Sequence, residues 1–585
     1  MLKTYRITFF DGSENVFVGF SVLYLLYFLT LRECMPVINF DYHDLCGLIG
    51  KDIPKDVLVK RIPLIGADMH DTDDGDEDAM SVEFFPDRPD LFSVEGLARS
   101  LRSFLDLEPG MKSYSVENTK IEVVCDKSVE SVRPYIMCAA VFDINVTDDV
   151  LKSIMEMQEK LHLTIGRKRS KIAIGIHDLD TVKPPFVYKA VEPKKMSFVP
   201  LTKTEKWDLD EILEKHEKGK EYAHLLKGKK TYPIILDANN DVLSFPPIIN
   251  GTRTTVTTST KNLFIDVTGM DPRTVKGSLD LVCTALAERG GRIGAVSMKS
   301  ISKMSPDLTP SEWSFSAKEC EKFIGVKIDV KDIVSALKRM GMDAVSKGDK
   351  VTATVPATRL DIMHTVDLYE DVAIGYGFER FGGEHSLTQT NGNVSDSTYV
   401  SERVRDIMTG LGYFEVTTLT LSSENEEFVI SGLPKVEVVR VKNPITEDHT
   451  CLRASLMPSL MKILRRNKHR DLPQRIFEVG DVVREEKKQR RVCALATHSK
   501  ASFTEIKSIA ESVLREMGIE YTIRACQYAT FIEGRGAEIV SGGKPIGYFG
   551  EMNPQVIIDF DIDHPIILFE MEISSFIEGF QRGLI

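Results

Sequence analysis

None of the nine cysteines forms a C-x-x-C pair. They are scattered from Cys34 and Cys46 to Cys493 and Cys526, which argues against a zinc ribbon or a disulfide scaffold and reads as reduced thiols. Positive charge is also short: 74 basic against 87 acidic side chains leave a net −13. Gripping nucleic acid through overall charge is therefore excluded, and only local basic patches remain for that purpose. A Walker A loop, G-x-S-x-G, H-E-x-x-H and a G-x-G-x-x-G following a strand are all missing, so the common phosphate-loop, hydrolase, zinc-protease and dinucleotide signatures are absent. What the chain does have is bulk. Its 585 residues, 42% hydrophobic and 28% charged, suffice for about three to five domains and argue against wholesale disorder.

The uncharged, mostly apolar run Val16–Leu31 has 16 residues, short of the roughly 20 of a full membrane span. No A-x-A-like cleavage site follows it. Three readings stay open: an extension outside the fold with Met35 as the real start, a membrane or signal segment, and a packed helix. Asp68–Asp78 carries seven carboxylates in eleven residues, but Gly75 is out of register for an EF-hand, so a solvated acidic loop is expected. Beyond the proline-rich Phe84–Pro89, an apolar stripe at Val94, Leu97, Leu101 and Leu105 predicts a helix. Further helices are expected over Asp148–His162 and Pro272–Arg289, with a strand at Ile172–Ile176. A hairpin is expected over Pro233–Ile249, turning at Asn239–Asp241, then a loop plus edge strand over Gly251–Thr260. Residues 316–384 read as a helix–helix–hairpin–helix unit of winged-helix-like type. Residues 398–585 read as an α+β domain with a largely antiparallel sheet.

Candidate chemistry is sparse. His177-Asp-Leu-Asp180 resembles half of a metal or acid–base site, while His216 and His224 lack ligand spacing. In the segment Asp361–Asp371, the carboxylates Asp367, Glu370 and Asp371 fall at i, i+3 and i+4, and Asp361 can fold in from the preceding turn. An oxygen-only set suits Mg²⁺ or Ca²⁺ better than zinc, and a solvated or base-paired acidic face is the alternative. Basic clusters at Arg167–Lys171, Lys227–Lys230, Arg465–Arg470 and Lys487–Arg491 are candidate RNA contacts.

Four stretches carry a resemblance, in order: Phe85–Arg99, Gly166–Asp178, Pro356–Gly377 and Asn443–Asp481. Together they resemble the beta subunit of phenylalanyl-tRNA synthetase in its archaeal and eukaryotic form, across 35–585. The resemblance starts at Met35, which favours the extension reading. It implies a multidomain α+β chain: an N-terminal extension (1–34), an N-terminal module (35–115), an editing-type α/β module (116–300), a winged-helix-like B5-type module (301–384) and a catalytically silent class II synthetase-like domain with an antiparallel sheet (385–585). It further implies a cytoplasmic α2β2 ligase with an alpha subunit that uses ATP, tRNA(Phe) as substrate, and no membrane. Mg²⁺ would be held at the alpha boundary by Asp361, Asp367, Glu370 and Asp371. Editing of Tyr-tRNA(Phe) would draw on Asp266, Thr268 and His177, because an apolar pocket built for phenylalanine cannot strongly exclude the added hydroxyl of tyrosine. In the last domain Leu452-Arg-Ala-Ser455 stands where an active class II enzyme has Arg-x-Glu, so no catalytic role is expected of Arg453. The rival readings are a free-standing tRNA-editing hydrolase and a membrane-tethered RNA-binding scaffold.

Overall fold

The computed structural model describes residues 36–70, 77–299, 303–383 and 391–574. Val16–Leu31, Met35 and the centre of the acidic loop lie outside these residues. The chain divides into two compact units, 1–384 and 385–585.

The first unit begins with three antiparallel strands, Val37–Asp41, Ala67–His70 and Ala79–Phe84. The expected helix runs Val94–Phe104, and Ser93 Oγ caps it by accepting the Gly96 N–H. Of its apolar stripe Val94, Leu97 and Leu101 are buried, and Leu105, at the C-cap, is half-buried.

Next comes a mixed ten-stranded sheet. In it Leu263–Gly269 lies antiparallel between Tyr135–Phe142 and Ile172–Asp178. Helices Asp148–Leu163 and Pro272–Glu288 form where caps and stripes predict them. Thr147 and Asp271 accept the Val150 and Thr274 N–H groups. Leu263, Ile265 and Val267 share a core with these helices, whereas Phe264 packs with Phe186, Tyr188 and Cys138 on the other face. Asp266 and Thr268 follow the same alternation as Phe264, so strand geometry sends them to that second face.

The predicted hairpin is Tyr232–Leu236 with Val242–Phe245, turning on Asp237, which accepts the Asn239 and Asp241 N–H groups. The edge strand expected within Gly251–Thr260 is not found; a short 3-10 turn, Thr252–Thr254, stands there. Thr254 and Thr260 instead bond inward, to His177 and Asp178.

The unit closes with a three-stranded antiparallel sheet and three helices, Ala317–Ile324, Val330–Arg339 and Thr365–Tyr376. Two of its strands flank the expected turn, and the third, Ser311–Ser316, precedes the first helix.

The second unit is built on a seven-stranded sheet whose neighbours are antiparallel, except for the short Phe414–Glu415, which runs parallel to Gln474–Arg484. Helices Asp396–Gly410 and Phe503–Glu516 cover Phe477, Val492 and Phe569 on one face, and Met457–Arg466 and Pro554–Asp559 cover Cys493, Leu495 and Leu568 on the other. Six of the eight described cysteines are buried, across both units.

Candidate functional site

His177 and Asp266 are 89 residues apart in sequence and meet in the ten-stranded sheet. Phe264 is the register partner of His177 and Gly175 that of Asp266. With no side chain on Gly175, the Asp266 carboxylate reaches across to His177. A Cβ there would overlap Asp266 Oδ2 and sit 2.8 Å from His177 Nε2. Nε2 lies 2.9 Å from Asp266 Oδ2, and Nδ1 lies 2.8 Å from Thr254 Oγ1. His177 and Thr268 are 0% exposed and Asp266 and Thr254 1%, so the cluster is sealed from solvent.

Thr268 is not part of this chain of bonds. Its Oγ1 and carbonyl accept from Arg133 Nε (3.0 Å) and Nη2 (2.8 Å). Burial lowers the Arg133 guanidinium to about 10. The sequence reading missed Thr254, Arg133 and Gly175, because each acts over a long sequence separation with no local pattern. Asp178 caps the following turn by accepting the Asp180 N–H and also accepts from Thr260, while Asp180 accepts from Asn262. His216 and His224 each bond locally, to the Lys218 N–H and the Glu221 carbonyl.

The acidic helix divides its carboxylates between two tasks. Arg359, 7% exposed, lies between Asp361 (Nη2–Oδ2 2.6 Å) and Asp371 (2.7 Å). Burial raises the Asp371 carboxyl against the lowering pull of Arg359. Asp367 Oδ2 accepts the Met363 and His364 N–H groups at 2.7 Å each, a cap at the helix start. Glu370 is exposed. The structure therefore joins Asp361 with Asp371 through an arginine and leaves Asp367 and Glu370 outward of them. Among the described residues no three His, Cys, Asp or Glu side chains converge as a metal cage. Sequence reasoning missed Arg359, two positions before Asp361, as the cation that lets two carboxylates share a buried site.

In the second unit Arg453 is consumed by protein acceptors: the Asp481 carbonyl (2.9 Å), Thr418 Oγ1 (2.6 Å) and Glu478 Oε1 (2.8 Å). The basic clusters are mostly tied down as well. Arg169 is buried against the Ile248 carbonyl and Glu159, Lys229 bonds the Ser131 carbonyl, and Lys488 and Arg490 flank Asp481. Arg465, Arg466, Lys468 and Arg470 remain exposed. Among the described residues no helix is long and apolar enough to cross a membrane.

Three family models match: the "Phenylalanyl tRNA synthetase beta chain CLM domain" over 385–573, the "tRNA synthetase B5 domain" over 313–378 and the "B3/4 domain" over 145–285. The chain is 44% identical to a phenylalanine–tRNA ligase beta subunit of Methanosarcina barkeri, covering 93% of this chain and 99% of that relative. It is also 44% identical to the beta subunit of Methanothrix thermoacetophila, over 92% and 100%. A crystal structure of an N-terminal fragment of the Pyrococcus horikoshii phenylalanyl-tRNA synthetase beta subunit matches with a TM-score of 0.57 at 38% identity. The match covers 58% of this chain and all of the fragment.

Proposed function

The chain belongs to the phenylalanine–tRNA ligase beta-subunit family, and from that premise we propose that it is the noncatalytic chain of a cytoplasmic α2β2 ligase. The alpha chain activates phenylalanine with ATP and esterifies it to tRNA(Phe). The observation that carries this reading is similarity over the whole length of beta-subunit relatives. The committed Arg453 agrees with it, since it has no free fork to offer a nucleotide. The modules are taken as 35–115, 116–300, 301–384 and 385–585. The comparisons support neither a free-standing hydrolase nor a membrane-tethered scaffold. The test is to mix the chain with its cognate alpha chain and assay Phe-tRNA formation. The reading requires activity to depend on both chains, and activity of the alpha chain alone refutes it.

The acidic helix fits Mg²⁺ in a particular way. A Mg²⁺ ion keeps several waters and needs only one or two protein carboxylates. Asp367 and Glu370, one turn apart and outward, fit that demand, with Asp361 and Asp371 held behind them by Arg359. Bound there, the ion would supply structural bridging at the alpha boundary.

Editing of Tyr-tRNA(Phe) is assigned to the second face of the ten-stranded sheet, with Asp266, His177 and Thr268 as its polar groups. Support comes from the convergence of Asp266 on His177 in an otherwise apolar core. The cluster is sealed, so hydrolysis requires the site to open to water. Asp266→Ala is expected to raise Tyr-tRNA(Phe) accumulation while phenylalanine charging persists, and unchanged deacylation removes Asp266 from the site.

A further inference from the structure

A pocket of about 290 Å³ opens in the second unit, and none of the roles assigned above uses it. Strand Lys487–Thr497 contributes Gln489 and Arg491, and strand Ile566–Glu572 contributes Glu572, the register partner of Arg491. Arg491 is 3% exposed. Its Nε donates to Glu570 at 2.8 Å, and Glu570 in turn accepts from Ser455 Oγ at 2.8 Å and the Met457 N–H at 3.2 Å. The guanidinium is thus fixed from behind. Its two terminal nitrogens have no hydrogen-bond partner among the described residues, and the side chain lines the pocket. Gln489 Oε1, on the same lining, is shielded from solvent and also lacks a partner among the described residues.

A shielded polar atom such as Gln489 Oε1 is rarely left in that state. The free end of a guanidinium matches the two oxygens of a carboxylate. A bare anion fits poorly, because Glu572 stands opposite Arg491, and Arg484 and Glu485 add one further charge of each sign. Phe428 and Leu433 supply an apolar wall. We propose that this pocket binds a free α-amino acid with an apolar side chain, its carboxylate on Arg491, its ammonium on Glu572 and its side chain against Phe428 and Leu433. The assignment is independent of any phenylalanine site on an alpha chain.

Titration calorimetry on the full chain tests it, with L-leucine and L-phenylalanine as probes and phenylacetate, phenethylamine and inorganic phosphate as comparators. The expected result is one site per chain for both amino acids. Phenylacetate and phenethylamine should each bind about tenfold more weakly, since each lacks one charged partner. Glu572→Gln, which leaves the Arg491–Glu570 pair intact, should weaken the amino acids about tenfold and leave phenylacetate unchanged. Arg491→Lys keeps the charge without the fork and should weaken the amino acids and phenylacetate alike. Three results overturn the proposal: no heat from either amino acid up to about 10 mM, phosphate binding as tightly as the amino acids, or equal affinities in the wild type and Glu572→Gln.

Discussion

Glu427 is a fully buried carboxyl with no ion-pair partner among the described residues. Oε2 accepts the Ala454 and Ser455 N–H groups at 3.1 and 3.0 Å, while Oε1 has no partner among the described residues. Burial lifts its pKa from 4.5 to about 7. The folded state therefore holds a proton that the unfolded chain releases above about pH 4.5. The stability this confers is complete below the unfolded value and lost as pH rises through 7, on the order of 3 kcal/mol. Glu427→Gln keeps an acceptor and cannot ionise. Urea unfolding at about pH 5 and pH 8 should show a smaller loss of stability in the variant than in the wild type. No sequence pattern reveals such a group, because Glu427 sits in an ordinary Glu-Glu pair at the start of a helical turn. His177 and Asp266 were nameable from their local strings, yet Thr254 was not, since the hydroxyl that reaches His177 comes from a segment read as a loop plus edge strand.

At the scale of elements, helices were the most legible because their caps and stripes are local. Pro272, Asp271 and Gly290 bracket one helix, and Thr147 opens another. The strand Leu263–Gly269 was harder to read: buried on both faces, it lacks the alternation that marks a half-exposed strand. Its polar residues Asp266 and Thr268 interrupt the apolar run without ending the strand. The first strand of the three-stranded sheet, Ser311–Ser316, was missed because it is mostly polar and its pairing with Lys350–Val355 is long-range. The basic string Arg167-Lys-Arg169 holds a different surprise. All three residues have left-handed backbones, with φ of 46°, 51° and 62°. Non-glycine residues in that region cost about 1 kcal/mol each. Lys168 is exposed, so Lys168→Gly should stabilise the first unit by up to about 0.5 kcal/mol, net of the extra freedom glycine gives the unfolded chain. Thermal melting reads this directly, and a destabilised variant would mean that the Lys168 side chain makes contacts worth more than the strain.

At the scale of the whole molecule, the multidomain α+β organisation was legible from motif order, and the antiparallel sheet of the second unit from its alternating pattern. The division of labour within the acidic helix was not, since spacing places carboxylates on a face without saying which cation answers them. With Mg²⁺ placed as proposed, Glu370→Gln should leave the melting temperature of the chain unchanged and abolish the stability expected from the ion in the assembly with an alpha chain. Asp371→Asn should cost about 2 kcal/mol with or without Mg²⁺, because it takes one of the two carboxylates from the buried Arg359 and leaves only Asp361. Melting both variants with and without the ion separates the two roles, and an unchanged Mg²⁺ response in Glu370→Gln removes that residue from the ion's shell. The buried thiols distributed through both units carry a consequence of another kind. Burial pushes Cys138 and Cys283 in the first unit and Cys493 in the second well above the ordinary thiol range. A thiol so placed reacts with an alkylating reagent only when its surroundings open, since the thiolate is the nucleophile. The chain is thus equipped with native clocks for local unfolding: labelling rates at Cys283 and Cys493, read by mass spectrometry, time the opening of each unit without any introduced probe.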